Sequence, residues 1–498
     1  MKKLAITLFF LYTGCAIYAQ QSPKREFRGT WIHTVGNSDY PKMTSQEMQQ
    51  HYRDVLDTFA DAGINAVIYQ VRPTADAFFV SEYEPWSRYL TGTQGKAPDP
   101  LWDPLAFMIE ECHNRGMELH AWFNPYRVTS NNTEELDKNH LFFKKPYLFL
   151  KYGKQWYFDP GHPESREHTL KVIADVVKRY DIDAVHFDDY FYPYKIPYEE
   201  FPDEESFVKY HAVDGFGRFE KNNWRRNNVN ILVKDLNQTI KNIKPWVKFG
   251  ISPFGIWRNI NMDPTASNTQ GGVTNYDDLY ADIKLWVEKG WIDYNVPQLY
   301  WHIGHPRADY ATLSDWWSEN NFGRQLYIGQ NLWVSVKAPD DGKSQLYTKM
   351  KMVRENPNIH GNVWWSGYGM LSNPDGFIDS MKNEYQKYPA LVPLFKHIDS
   401  IPPAPVKNLS GKNTPAGKQL TWEATPAKNE MDKAAYFCVY RFETNERINL
   451  DDAAKMQKIV RKPVYAIPPA NDRKKYKYVV TAVDRLYNES VASKAVTF

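Results

Sequence analysis

The sequence predicts an α/β chain, a closed (β/α)8 TIM barrel followed by a small β-sandwich, and three observations carry that prediction. Apolar strand-like runs alternate with helical patterns, eight of each, as far as residue 390. After the proline-rich "IPPAP", Ile401 to Pro405, the pattern changes to short alternating runs between turns, as in "YFCVYRF" and "YKYVVTAVDRLYNES". The length, 498 residues, suits one large core with an appendage. The alternative for the first part is a doubly wound open sheet.

The elements follow in chain order. "MKKLAITLFFLYTGCAIYAQ" opens with Lys2 and Lys3, continues apolar and ends in small residues, which predicts a secretory signal over 1–19 cleaved after Ala19. Gly14-Cys15 leaves lipid attachment at Cys15 as the other form of the same expectation. The mature chain is then exported, to the periplasm or cell envelope, with no transmembrane segment. Only Cys112 and Cys438 remain, far apart, so no disulfide framework is expected.

Strands are expected at Phe27–Ile32, Ile64–Val71, Met117–Phe123, Ile182–Asp188, Lys248–Pro253, Ile292–Tyr300, Leu326–Asn331 and Gly361–Ser366. Between them lie helices such as one N-capped by Ser45 and stopped at Gly63, and one starting at Asp103 and stopped at Gly116. The barrel is bounded at 26–390, a linker at 391–405, and the sandwich at 406–498. The proline-led entry, Trp422 and Tyr478 resemble a fibronectin type III domain, a module expected to act as a spacer.

Composition excludes one class of partner. Lys+Arg 61 against Asp+Glu 59 leaves a net charge of +2, and the basic residues are scattered, so nucleic acid is not an expected partner. Aromatics at 15%, with 17 Trp and 33 Tyr, suit either a cleft that stacks on sugars or simply a large aromatic core.

In a barrel, function sits where strands end and βα loops begin. Those ends are polar: His33; Gln70, Arg72 and Asp76; His120, Asn124, Tyr126 and Arg127; Ser252, Trp257 and Arg258; Gln298, Tyr300 and Trp301. Such a mouth fits a neutral polyhydroxylated ligand. "VHFDDYFYP" puts Asp188 and Asp189 at the end of the fourth strand, with His186 and Asp188 on one face. Gln70, Arg72, Gln298 and Tyr300 are expected at the depth of Asp188.

Three readings fit these residues. Glycoside hydrolysis needs two carboxyl groups, one protonated and one ionised, supplied by Asp188 and Asp189 or by one of them with Asp76 or Glu84. A metal-dependent carbohydrate deacetylase would use His186, Asp188 and Asp189 with His120 or His33, without the usual ligand spacing. A non-catalytic carbohydrate-binding barrel would need no acid. A structural alternative makes the aspartate pair a loop cap.

"FRGTWI", "QVRPTADAFF", "DPLAFMIEECHNRGMELHAWFNPYR", "FDPGHP", "AVHFDDYFYP", "WRRNNVN", "FGISPFGIWRN" and "DYNVPQLYW" resemble the bacterial glycosyl-hydrolase-like family 10, from about Glu26 to residue 390. The resemblance implies a (β/α)8 glycosidase of the cell envelope acting on a polysaccharide, chiefly peptidoglycan glycan strands stripped of stem peptides. No metal or cofactor is expected, because the usual ligand spacing is missing. It implies a site among Arg72, Asp76, Asn124, Tyr126, Arg127, Asp159, His186, Asp188, Asp189, Trp257, Arg258, Gln298 and Tyr300. Chitinase-like barrels carry Asp-x-x-Asp-x-Asp-x-Glu on the fourth strand; here Asp183, His186, Asp188 and Tyr190 stand there, and the Glu is missing. The aspartate pair is therefore the expected catalytic set, with Arg72 keeping Asp188 ionised and Asp189 the proton donor, or the two roles exchanged.

Overall fold

The computed structural model describes residues 22–469 and 474–498. The expected signal segment and Cys15 lie outside the described residues.

Ten strand segments form one all-parallel sheet of the TIM-barrel kind: β1 (Phe27–Ile32), β2 (Ala66–Arg72), β3 (Glu118–Phe123), β6 (Ala184–Phe187), β7 (Lys248–Ile251), β8 (Tyr294–Asn295), β9 (Gln298–Leu299), β10 (Gln325–Leu326), β11 (Ile328–Asn331) and β12 (Gly361–Trp365). Two further strands, β4 (Phe149–Tyr152) and β5 (Gln155–Phe158), make an antiparallel hairpin in the connection after β3. The sheet's pairing runs full circle. β1 pairs with β2 and β12, while β8 and β9 pair in turn with β10 and β11.

The sixth expected strand, Ile292–Tyr300, is broken between β8 and β9 at Val296-Pro297. Pro297 has no N–H to give the ladder. The seventh is likewise interrupted, at Tyr327. The first long helix, Ser45–Asp61, is capped by Thr44 and not by Ser45: the Thr44 side chain accepts from the Glu47 N–H, and Glu47 reaches back to Thr44. Asp103 caps the helix Pro104–Asn114 as expected. Gly63 and Gly116 follow the two helices at φ +76 and +74, where a side chain would be strained.

Period-2 alternation sorts the side chains. Val67, Tyr69 and Val71 of β2 pack outward with the helices, whereas Ala66 and Ile68 face inward with Phe27, Trp31 and Trp122. At Gly250 on β7 a Cβ would sit 2.0 Å from the Tyr294 ring, so glycine there makes room for that tyrosine inside the sheet. Lower still, the buried Lys248 ammonium is paired with Glu118, which also bonds His120 at 2.7 Å.

The C-terminal part is built from two antiparallel sheets. One joins β13 (Lys407–Thr414), β14 (Gly417–Glu423) and β17 (Val464–Ala466); the other joins β15 (Tyr436–Glu443), β16 (Met456–Val460), β18 (Tyr476–Val483) and β19 (Val496–Thr497). Phe437, Val439 and Val480 on one face of the larger sheet pack with Leu420 and Trp422 of the smaller. Its other face does something the spacer expectation did not include. Tyr436, Cys438, Tyr440 and Val483 share a core with Phe27, Tyr294 and Tyr327 at the N-terminal ends of the barrel strands. Asp181, just ahead of β6, accepts ion pairs from Arg485 at 2.6 Å and Arg461 at 3.1 Å, and Lys24 pairs with Glu489 at 2.6 Å.

Leu391, Val392 and Phe395, expected to begin the linker, are buried in that same core. Cys112 and Cys438 are buried and free. No helix among the described residues is long and apolar enough to cross a membrane.

Candidate active site

β6 stops at Phe187, one residue short of expectation, so Asp188 and Asp189 both leave the ladder. The strict alternation that would send Asp189 outward ends with the strand. Both carboxyls line one cleft of about 310 Å³ at the C-terminal end of the sheet, and are only 5% and 4% exposed.

Asp188 is held by three donors. Its Oδ2 accepts from Trp122 Nε1 at 3.1 Å and Asn124 Nδ2 at 2.7 Å, and its Oδ1 from the Tyr190 N–H at 3.2 Å. The orientation of Asn124 is itself forced, because its Oδ1 receives Gln70 Nε2 at 2.7 Å and Arg127 Nη2 at 2.9 Å. Gln70 is fixed in turn by the Thr34 and Val35 N–H groups at 2.8 and 2.9 Å. A chain of oriented amides therefore runs from β1 and β2 to one carboxylate oxygen.

Asp189 has fewer partners: the Tyr194 hydroxyl donates to its Oδ2, and Gln298 contributes a further hydrogen bond. Burial, then the neighbouring Asp188 charge, pushes its carboxyl up to about 7. Burial pushes Asp188 upward too, opposed by the Arg127 charge and by the bonds from Asn124, Tyr190 and Trp122. Asp188 is thus the carboxyl that ionises first. Asp189, pushed up both by burial and by the charge on Asp188, is the member of the pair that holds its proton more strongly.

His186 lies beneath them. Its Nε2 receives Trp31 Nε1 at 3.3 Å and the Ser252 hydroxyl at 2.9 Å, which leaves the proton on Nδ1, 3.0 Å from the Tyr294 hydroxyl. Burial drives its pKa well down, so it is a neutral spacer under the cleft and not an acid or base within it. Aromatic rings make the walls: Trp31, Trp365, Tyr190, Tyr194 and Tyr300.

Of the expected residues, Gln70, Arg127, Asp188, Asp189, Gln298 and Tyr300 line the cleft, and Asn124 stands directly behind it. His33 and Ser252 also line it, whereas Arg72, Asp76, Tyr126, Asp159, Trp257 and Arg258 do not reach it. Arg72 does not face Asp188: it is bidentate to Glu84 at 2.8 and 2.5 Å and donates to the Asn124 and Pro125 carbonyls, so it braces the loop behind Asn124. The cation acting on Asp188 is Arg127. Glu84, the alternative acid, is committed to Arg72 and His168, which hold it far below the usual carboxylate range. Asp76 accepts from Gln94 and from the Thr74 N–H, and Asp159 from the Gly161 N–H; burial raises each to about 6, away from the cleft.

Tyr126 is buried with no hydroxyl partner among the described residues. Trp257 stacks on Trp316, 5.6 Å between ring centres, and donates to Asp282, while Arg258 pairs with Asp277 and Asp263. Long loop insertions have closed these groups on local partners. Two residues that touch the aspartates, Trp122 and Tyr194, were not among those expected. Trp122 had a readable signal: on β3 it shares the face of His120 and Asn124.

The deacetylase reading requires His186, Asp188 and Asp189 to converge with His120 or His33. His120 instead spends its ring nitrogens on Glu118 and the Tyr294 hydroxyl. Among the described residues no three His, Cys, Asp or Glu side chains gather closely enough to hold an ion.

The family model described as Glycosyl hydrolase-like 10 matches residues 26–345. Glycosyl hydrolase YngK of Bacillus subtilis is 45% identical over 489 residues, covering 96% of this chain and 94% of that protein. Glycosyl hydrolase DigH of Escherichia coli is 39% identical over 331 residues, covering 62% and 74%. Among solved structures, the catalytic domain of a β-amylase from Paenibacillus polymyxa aligns with a TM-score of 0.48 at 10% identity, over 74% of this chain and 99% of that one.

Proposed function

Since the chain belongs to the glycosyl hydrolase-like 10 family, we propose that it is a (β/α)8-barrel glycoside hydrolase of the cell envelope that cleaves the glycan strands of peptidoglycan. One observation carries the reading: two adjacent carboxyls at a strand's C-terminal end, set in an aromatic cleft and biased to opposite protonation states. Glycosidic cleavage needs that division.

Asp189 gives its proton to the leaving oxygen. Asp188, ionised and fixed by Trp122, Asn124 and the Tyr190 N–H, serves as nucleophile or as the base for water. The aromatic walls supply stacking surface for sugar rings. Export through the N-terminal segment completes the reading, and the paired C-terminal sheets are a fibronectin type III-like sandwich.

Purified peptide-free glycan strands, chitin and neutral plant glycans, each digested with and without a chelator, test it. Products are expected mainly from the first and equally with chelator. Loss on chelation with recovery on adding zinc would restore the deacetylase reading, and tight binding without cleavage would leave a binding barrel.

A further inference from the structure

Arg127 is 9% exposed and fixed on three sides. Its Nε donates to the Pro73 carbonyl at 3.0 Å, its Nη2 to Asn124 Oδ1 at 2.9 Å, and its guanidinium lies 5.0 Å from the centre of the Tyr190 ring. Among the described residues Nη1 has no hydrogen-bond partner, and the group makes no salt bridge. It is also the only Arg or Lys among the described residues lining the cleft. Asp188 acts on it through space, but both oxygens of Asp188 are engaged elsewhere.

A buried guanidinium without a contacting anion is costly, and one held rigidly with a free nitrogen is pre-organised for an anion. Resting on the reading of the protein as a hydrolase of peptidoglycan strands, we propose that Arg127 is a specificity-determining residue whose Nη1 binds a free carboxylate on the sugar seated in the cleft. In such strands alternate sugars bear a lactyl ether, whose carboxyl is either free or closed as an amide onto a peptide. The free form is an anion that accepts a charge-assisted hydrogen bond. The amide is neutral and leaves the guanidinium unpaired. Arg127 thereby distinguishes stripped strands from peptide-bearing ones. A bound carboxylate also places a negative charge beside the aspartates and keeps Asp189 protonated to higher pH in the complex.

The test compares stripped strands with the same strands capped as methylamides, a change too small to act by bulk. Wild type is expected to favour the free acid by about 10- to 100-fold in kcat/KM. Arg127→Gln should bring the ratio near one, with Arg127→Lys retaining part of it. The alkaline limb of kcat should lie higher with the free acid than with the methylamide for wild type alone. An unchanged ratio in Arg127→Gln, or equal processing by wild type, overturns the inference. If wild type cleaves neither strand the hydrolase reading fails, and calorimetric binding of the two strands to wild type and Arg127→Gln then decides the inference alone: a preference lost in the variant sustains it, equal binding sinks it.

Discussion

Asp188→Asn is expected to lower turnover on peptide-free strands by about a thousandfold or more, with the fold intact. Asparagine keeps the size of the side chain and one acceptor oxygen. That oxygen can stay with Trp122 and Asn124, but the new amide then faces the Tyr190 N–H, so one hydrogen bond is lost. The loss costs on the order of 1 kcal/mol and is offset in part because a buried charge disappears. A melting point within a few degrees of wild type is therefore the companion result. Near wild-type turnover per molecule, with melting lowered by several degrees, would make the pair a structural cap.

Asp189→Asn should be nearly as severe on native strands, a loss of about 10²- to 10⁴-fold, yet largely restored on aryl glycosides whose leaving groups need little protonation. The pH profile separates it from Asp188. Wild-type kcat/KM should fall as pH rises through about 7, where Asp189 loses its proton, and the variant should lack that limb. Stability moves the same way as activity. The folded-state value, about 7 against an ordinary 3.8, means the native state holds the proton more tightly, so stability declines as pH rises through that window. At pH 8 the variant, spared the buried charge, should be more stable than wild type by about 1–3 kcal/mol, with the difference gone near pH 4. A variant less stable at pH 8 would contradict the protonation assignment.

What the sequence made legible follows from the physics of each feature. Buried parallel strands read as continuous apolar runs, so all eight were found, and their polar C-terminal ends led to Asp188, Asp189, Gln70 and Gln298. The Thr44 cap was readable as Thr-x-x-Glu, and the break at Pro297 as a missing donor. Loop closures were not. Arg72 finds Glu84 twelve residues on, Arg258 finds Asp277 nineteen on, and Trp257 finds Asp282, because insertions of unknown course fold back on themselves. Sequence places such residues near a rim without saying whether they face it. The exchange of Arg72 for Arg127 as the cation near Asp188 has that origin.

The barrel base and the C-terminal sheets share buried apolar contacts: Phe27 and Tyr327 belong to one side, Tyr440 and Val483 to the other, within a single cluster. Two bodies that share a core cannot open independently without wetting it, which couples them into one two-state cooperative unit. Calorimetry should show a single transition, with loss of the aromatic signal from the C-terminal sheets coinciding with loss of the cleft. Cut free at residue 400, the barrel would expose the underside of the strands that carry its chemistry.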